Sequence, residues 1–196
     1  MLPKPESACL VIADISSGYT GYLAGVELDH AQDILADLMD TIVGALRPPF
    51  RLSKLEGDAA FVYAPTPEID GSLLQDTIEA TYFTFRRRLR DIKQSSTCEC
   101  DACRLIPSLD LKFVVHPGQV AKQTMSGQEE LVGRDVILIH RLLKNKVEEK
   151  LGRRGLRSLH RCRHAMRRRG RLGPGDDRTP RDDRHHRRCA MLAARS

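Results

Sequence analysis

The spacing of apolar positions changes repeatedly between residues 8 and 145, and each change marks an element. Residues 8–14 (Ala-Cys-Leu-Val-Ile-Ala-Asp) form an unbroken apolar run closed by an acid, which predicts a central strand covered on both faces. Ser16, Ser17, Gly18 and the residues to Gly21 predict a turn. Over residues 27–46, Leu28, Ala31, Ile34, Leu35, Leu38, Ile42 and Leu46 follow a helical period, and Pro48-Pro49 stops the helix. Residues 50–56 and 59–64 predict two strands joined by a tight Glu56-Gly57-Asp58 hairpin. Ser72 is the expected N-cap of a second helix that runs to about Lys93, with Leu74, Ile78, Tyr82, Phe85, Leu89 and Ile92 along its buried stripe.

A cysteine-bearing loop over residues 94–107 comes next. Residues 109–116 predict a fourth strand, Pro117-Gly118 a turn, and residues 119–125 a fifth strand. A last helix is expected from Arg134 to about Glu149. The order β-α-β-β-α-β, extended by one strand and one helix, predicts an α+β fold of ferredoxin-like type, with helices on one face of an antiparallel sheet.

Charge divides the chain. Residues 153–196 hold 15 arginines, no lysine and four aspartates, which leaves 17 basic and 22 acidic groups before them. The body over residues 1–150 is therefore mildly acidic, and nucleic-acid binding is not expected of it. The Arg-rich stretch over residues 151–196 has no apolar period and is expected to be irregular. It reads as a basic arm or as an out-of-frame translation of a G+C-rich gene. No apolar run approaches the roughly 20 residues of a membrane span. With no secretion signal at the N-terminus, the six cysteines read as reduced thiols or metal ligands of a cytoplasmic protein.

The chemistry concentrates at Ala13-Asp14-Ile15 and Lys54-Leu55-Glu56-Gly57-Asp58. Each places an aspartate at a strand end, and two such carboxylates can hold divalent metals against a nucleoside triphosphate. Residues 13–20 resemble the opening motif of class III nucleotidyl cyclases, and residues 54–58 their hairpin motif. Residues 111–120 (Leu-Lys-Phe-Val-Val-His-Pro-Gly-Gln-Val) resemble the following strand-turn-strand, and residues 131–141 the helix-start motif. Nearest is an uncharacterised bacterial family with this fold. The resemblance implies that Asp14 and Asp58, with the carbonyl of Ile15, bind Mg²⁺ or Mn²⁺. It implies that Lys54 and Glu130 read a purine base, and that Arg141 stabilises charge on the α-phosphate. A homodimer is implied, because these groups come from opposite protomers, and an active enzyme would convert ATP to cyclic AMP and pyrophosphate. The chain departs from the pattern in three ways. The loop after Asp14 is one residue longer, Ile137 replaces an asparagine that orients the ribose, and a later phosphate-binding lysine would fall beyond Gly152. A catalytically inactive sensing module on the same scaffold is the alternative.

Cys98-Glu99-Cys100-Asp101-Ala102-Cys103 offers three thiolates within six residues, enough to hold Zn²⁺ if a fourth ligand is supplied. His116, Cys9, Asp101, a water or a second protomer are the candidates, and a zinc-stabilised interaction domain is a third reading. His160, Cys162 and His164 have ligand-like chemistry but sit among arginines.

Overall fold

The computed structural model of the chain describes residues 4–16, 28–144 and 192–193. Its elements are β1 (Glu6–Ser16), α1 (Leu28–Leu46), β2 (Arg51–Glu56), β3 (Ala59–Pro65), α2 (Gly71–Ser95), a short α3 (Asp101–Leu105), β4 (Asp110–Met125), β5 (Gln128–Val132) and α4 (Arg134–Lys144). A two-residue strand β6 (Leu192–Ala193) pairs with Lys112 and Phe113 of β4. The strands lie in the order β2-β3-β1-β4-β5 with every pairing antiparallel. The first four strands have the ferredoxin-like arrangement that the element order predicts. The rest of residues 151–196, with the expected tail and its His160, Cys162 and His164, lies outside the described residues.

Alternation along β1 divides the core in two. Cys9, Val11, Ala13 and Ile15 face α1 and α2, where they meet Leu38, Ile42, Leu74, Ile78 and Phe85. Ala8, Leu10 and Ile12 face the other way and pack with Phe61, Val114, Leu131, Val136 and Ile139. Helices therefore cover both faces, α1 and α2 on one and α4 on the other, whereas the sequence reading places them all on one. The reason lies in β1 itself, whose apolar side chains point to both sides and require cover on both.

Three local expectations are corrected. The cap of α2 is Asp70, whose Oδ1 accepts from the Ser72 and Leu73 amides at 2.7 and 2.8 Å. Ser72 lies within the first turn. Residues 101–105 of the expected loop form α3. Residues 109–116 and 119–125 are one continuous strand, β4, and the turn expected at Pro117-Gly118 is absent. Ile15 donates its amide to the Asp58 carbonyl at 3.0 Å, so odd residues of β1 turn their backbone groups toward β3. Pro117, opposite Cys9, must then turn its nitrogen away from β1. Its missing N–H falls between the stretches that pair with β6 and β5, where no strand among the described residues requires it.

Gly118 meets a tighter requirement. A Cβ there would lie 2.6 Å from Asp135 Cγ and 2.7 Å from its Oδ2. Asp135 opens α4, accepts the Gln119 amide at 2.7 Å, and has Oδ1 3.0 Å from Nε2 of the buried His116. The residues 111–120 and 131–141 are thus bolted together through one carboxylate, which only glycine at 118 admits. Gly118→Ala is expected to destabilise the fold by about 2–4 kcal/mol, combining overpacking with displaced hydrogen bonds. A urea unfolding midpoint unchanged from wild type would contradict this account.

Candidate functional site

Two strand ends bring the predicted acids into one region. Asp14 stands in register between Ala59 of β3 and Lys112 of β4. Asp58 occupies the β2–β3 turn after Gly57, whose φ of +65° is the left-handed conformation that glycine accepts without strain. The Ile15–Asp58 backbone bond holds this turn against the end of β1. Burial raises the Asp58 carboxyl above its ordinary value, although its own backbone amide acts in the opposite direction. The backbone pairing thus sets Asp14 and the half-buried Asp58 on neighbouring strand ends, one residue apart in register. The Ile15 side chain itself is buried in the core under α1 and α2.

Lys54 depends on a bulge. Leu52 pairs with Val62, but Lys54 pairs with Phe61, so Ser53 is an extra residue in β2. In unbroken register Lys54 would oppose Ala60, on the face of α1 and α2. The bulge reverses the alternation, so that Lys54 and Glu56 share the α4 face with Phe61 and Ala59, while Leu55 is left 52% exposed. Lys54 Nζ then lies 3.0 Å from Glu56 Oε1 and 3.7 Å from Glu130 Oε2. Because β2 and β5 stand at opposite ends of the strand order, the sheet must curl over its α4 face for Glu130 to arrive. Lys122 of β4, 5.3 Å above the Tyr63 ring, marks the same curl.

Glu56 and His140 join this cluster, though sequence reasoning singled out neither for it. His140 Nε2 is 2.9 and 3.0 Å from the two Glu56 oxygens. Its Nδ1 is 2.7 Å from the Val136 carbonyl, which can only accept, so Nδ1 carries a proton. The ring stands edge-on to Phe61, which fixes its orientation. Burial pushes the Glu56 carboxyl up, but the hydrogen bonds from Lys54 and His140 outweigh it and hold the carboxyl below its usual value. Lys54 is raised by its bond to Glu56. Arg141 lies on the exposed side of α4, and Ile137, one turn earlier, is 57% exposed.

The cysteine loop gains a ligand that local sequence does not supply. His30, in the first turn of α1, places Nδ1 3.6 Å from Cys98 Sγ and 3.5 Å from Cys100 Sγ. The ligating atoms of His30, Cys98, Cys100 and Cys103 all lie within 4.8 Å of one another, a set that could hold a metal ion. His116 is committed to Asp135. Cys9 is buried in β1, which pushes its thiol up to about 12. Amide donation from Cys103 and the His30 contact lower the Cys100 thiol to about 7. Topology was the available signal for His30. The α2–β4 connection emerges where β1 ends, as Ser16 opposite Asp110 shows, and α1 follows β1.

A four-stranded ferredoxin-like core elaborated in this way is the fold of nucleotidyl cyclase catalytic domains. A bacterial light-regulated adenylyl cyclase superposes with a TM-score of 0.57 at 13% identity, covering 77% of this chain and 42% of that one. The adenylyl cyclase CyaB of P. aeruginosa gives 0.55 at 18%, covering 72% and 73%. The guanylyl cyclase Cya2 gives 0.51 at 16%, covering 72% and 71%. At these identities the likeness is one of fold. The chain belongs to the family described as protein of unknown function DUF2652, matched over residues 35–150. It is also 41% identical over 113 residues to the uncharacterized protein Rv2561/Rv2562 of Mycobacterium tuberculosis (strain ATCC 25618 / H37Rv), covering 58% of this chain. The chain spans about half the length of that relative, 52%. No helix among the described residues is long and apolar enough to cross a membrane.

The Lys54–Glu56–His140 cluster has a defined pH signature. Glu56 has a lowered folded pKa, so its contribution is present above the ordinary glutamate value near 4.5 and is lost as pH falls below it, through the folded value. Glu56→Gln should cost on the order of 1 kcal/mol at neutral pH. Thermal melts should then show the wild-type advantage shrinking below pH 4.5. A difference that stays constant down to the acid transition would remove Glu56 from the account.

Proposed function

We propose that residues 1–150 form a cyclase-like domain that binds a purine nucleoside triphosphate with Mg²⁺ or Mn²⁺ across a homodimer interface, and that residues 151–196 are not a folded domain. The observation that carries this reading is the β2–β3 hairpin. It delivers Asp58 to the end of β1 beside Asp14, and through its bulge turns Lys54 toward Glu130. One short element thus serves both a metal-binding edge and a cation–carboxylate pair able to read the donor and acceptor edge of a base.

In the reading we favour, Asp14, Asp58 and the Ile15 carbonyl hold the metal, which neutralises triphosphate charge and lowers the pKa of the ribose 3′-hydroxyl. Lys54 and Glu130 of the second protomer select the base, and Arg141 attends the α-phosphate. Glu56 and His140 hold the Lys54 ammonium in place. Turnover, where it occurs, is conversion of ATP to cyclic AMP and pyrophosphate. Ile137 bears on that last step, since an exposed isoleucine supplies no hydrogen bond to a ribose. Its presence favours a second reading in which nucleotide binding serves sensing rather than synthesis. The domain acts in the cytoplasm in either case.

Binding and turnover separate experimentally. ATP titrated calorimetrically with Mn²⁺ should bind wild type, and Asp58→Ala should lose the metal-dependent part of that affinity. Lys54→Met should keep metal dependence but lose about 1.5–3 kcal/mol of preference for ATP over a pyrimidine triphosphate. Cyclic AMP assayed in parallel distinguishes the enzyme from the sensor. ATP affinity that is indifferent to both Mn²⁺ and Asp58→Ala would overturn the nucleotide reading.

A further inference from the structure

We infer that His30, Cys98, Cys100 and Cys103 form a closed, structural Zn²⁺ site that clamps the first turn of α1 to the connection between α2 and β4. The site is separate from the Asp14–Asp58 edge and differs from it in chemistry, three soft sulfurs and one imidazole against hard oxygens.

Distances argue first. Zinc binds thiolate at about 2.3 Å and imidazole at about 2.0–2.1 Å, so a tetrahedral centre spaces sulfur from nitrogen by about 3.5–3.6 Å. The His30 Nδ1 separations of 3.6 Å from Cys98 and 3.5 Å from Cys100 are those tetrahedral edges. The same geometry spaces sulfur from sulfur by about 3.8 Å. With all four ligating atoms within 4.8 Å of one another, small side-chain rotations suffice to close the shell.

The surroundings of the sulfurs argue second. Cys98 Sγ accepts the Cys100 amide at 3.5 Å, and Cys100 Sγ accepts the Cys103 amide at 3.4 Å as the cap of α3. Cys103 Sγ accepts from the Ser96 hydroxyl at 3.5 Å, and that hydroxyl oxygen in turn accepts the Cys98 amide at 3.2 Å. Each sulfur thus has its own donor, an arrangement that orients metal thiolates and disperses their charge. Four protein ligands leave no open coordination position, which is the mark of a structural rather than a catalytic zinc.

The ligands join parts of the chain that are far apart in sequence, 68 and 70 residues separating His30 from Cys98 and Cys100. A metal there closes a long loop and ties α1 to the far end of α2. The two helices are otherwise linked by their packing and by the bidentate Arg88–Asp37 pair, at 2.7 Å for both bonds. Metal binding therefore adds directly to folding stability.

The test uses the full chain, purified under reducing conditions, with Cys162→Ser/Cys189→Ser as the background so that tail thiols contribute nothing. Elemental analysis should find about one zinc per chain. Replacement by Co²⁺ should give the thiolate charge-transfer and intense visible bands of a tetrahedral site. His30→Ala and Cys100→Ser should each weaken zinc binding by more than the 10–100-fold that loss of an outer partner brings, and lower the melting temperature of the metal-loaded protein. Cys9→Ala should keep the metal. Should the reduced, zinc-supplied protein hold no stoichiometric metal, or His30→Ala keep wild-type affinity and spectrum, the assignment is wrong. A six-coordinate Co²⁺ spectrum would equally overturn it. ATP binding is not among the readouts, so failure here leaves the nucleotide reading standing.

Discussion

The seven residues Ala8 to Asp14 of β1 are paired on one side with β3 and on the other with β4, while their side chains alternate between two cores. Every other element answers to that double enclosure. Helices α1 and α2 exist as amphipathic layers because one row of β1 side chains needs cover, and α4 with the curled β4–β5 ribbon exists because the other row does. Every side chain from Ala8 to Ala13 is buried, and Asp14 is the first of the run to reach solvent in part.

Chemistry collects at that same end of the sheet. Asp14, the Asp58 turn and the start of β4 lie side by side there, and the His30–cysteine cluster sits on the helices that flank it. The arrangement follows from topology. Strand β1 runs outward to this edge, α1 carries the chain back, and the α2–β4 connection returns to it, so side chains distant in sequence converge there. Carboxylates stand at the end of the sheet, and three sulfurs with one imidazole gather where the α2–β4 connection meets the first turn of α1. Each group is held by backbone hydrogen bonds from the elements that supply it.

Much of this architecture was legible in the spacing of apolar residues. Strand β1, helices α1 and α2 and the hairpin before Ala59 follow from local periods that burial then rewards. Features were missed where the deciding partner lay elsewhere. Pro117-Gly118 has the composition of a turn, yet a strand passes through it because the proline nitrogen is turned away from β1 and the glycine admits Asp135. His30 looks like any polar residue near a helix start until the α2–β4 connection is folded against it. Glu56 and His140, 84 residues apart, meet only because α4 crosses the second face. The cysteines announced themselves by spacing, and Lys54 and Glu130 by resemblance, but their contact depends on a sheet curl that no local pattern encodes.

The extra residue in β2 makes the hairpin sensitive to counting. Side chains on either side of Ser53 obey opposite parities: removing Ser53 itself would only straighten the ladder with Lys54 still opposite Phe61, whereas losing the residue between Lys54 and Glu56 would turn one of these two charges to the α1–α2 face. Variation among relatives in this segment therefore has to be judged by length before identity. A one-codon deletion at Leu55 would rewrite the placement of charge on the α4 face, and the same deletion at Ser53 would leave it intact.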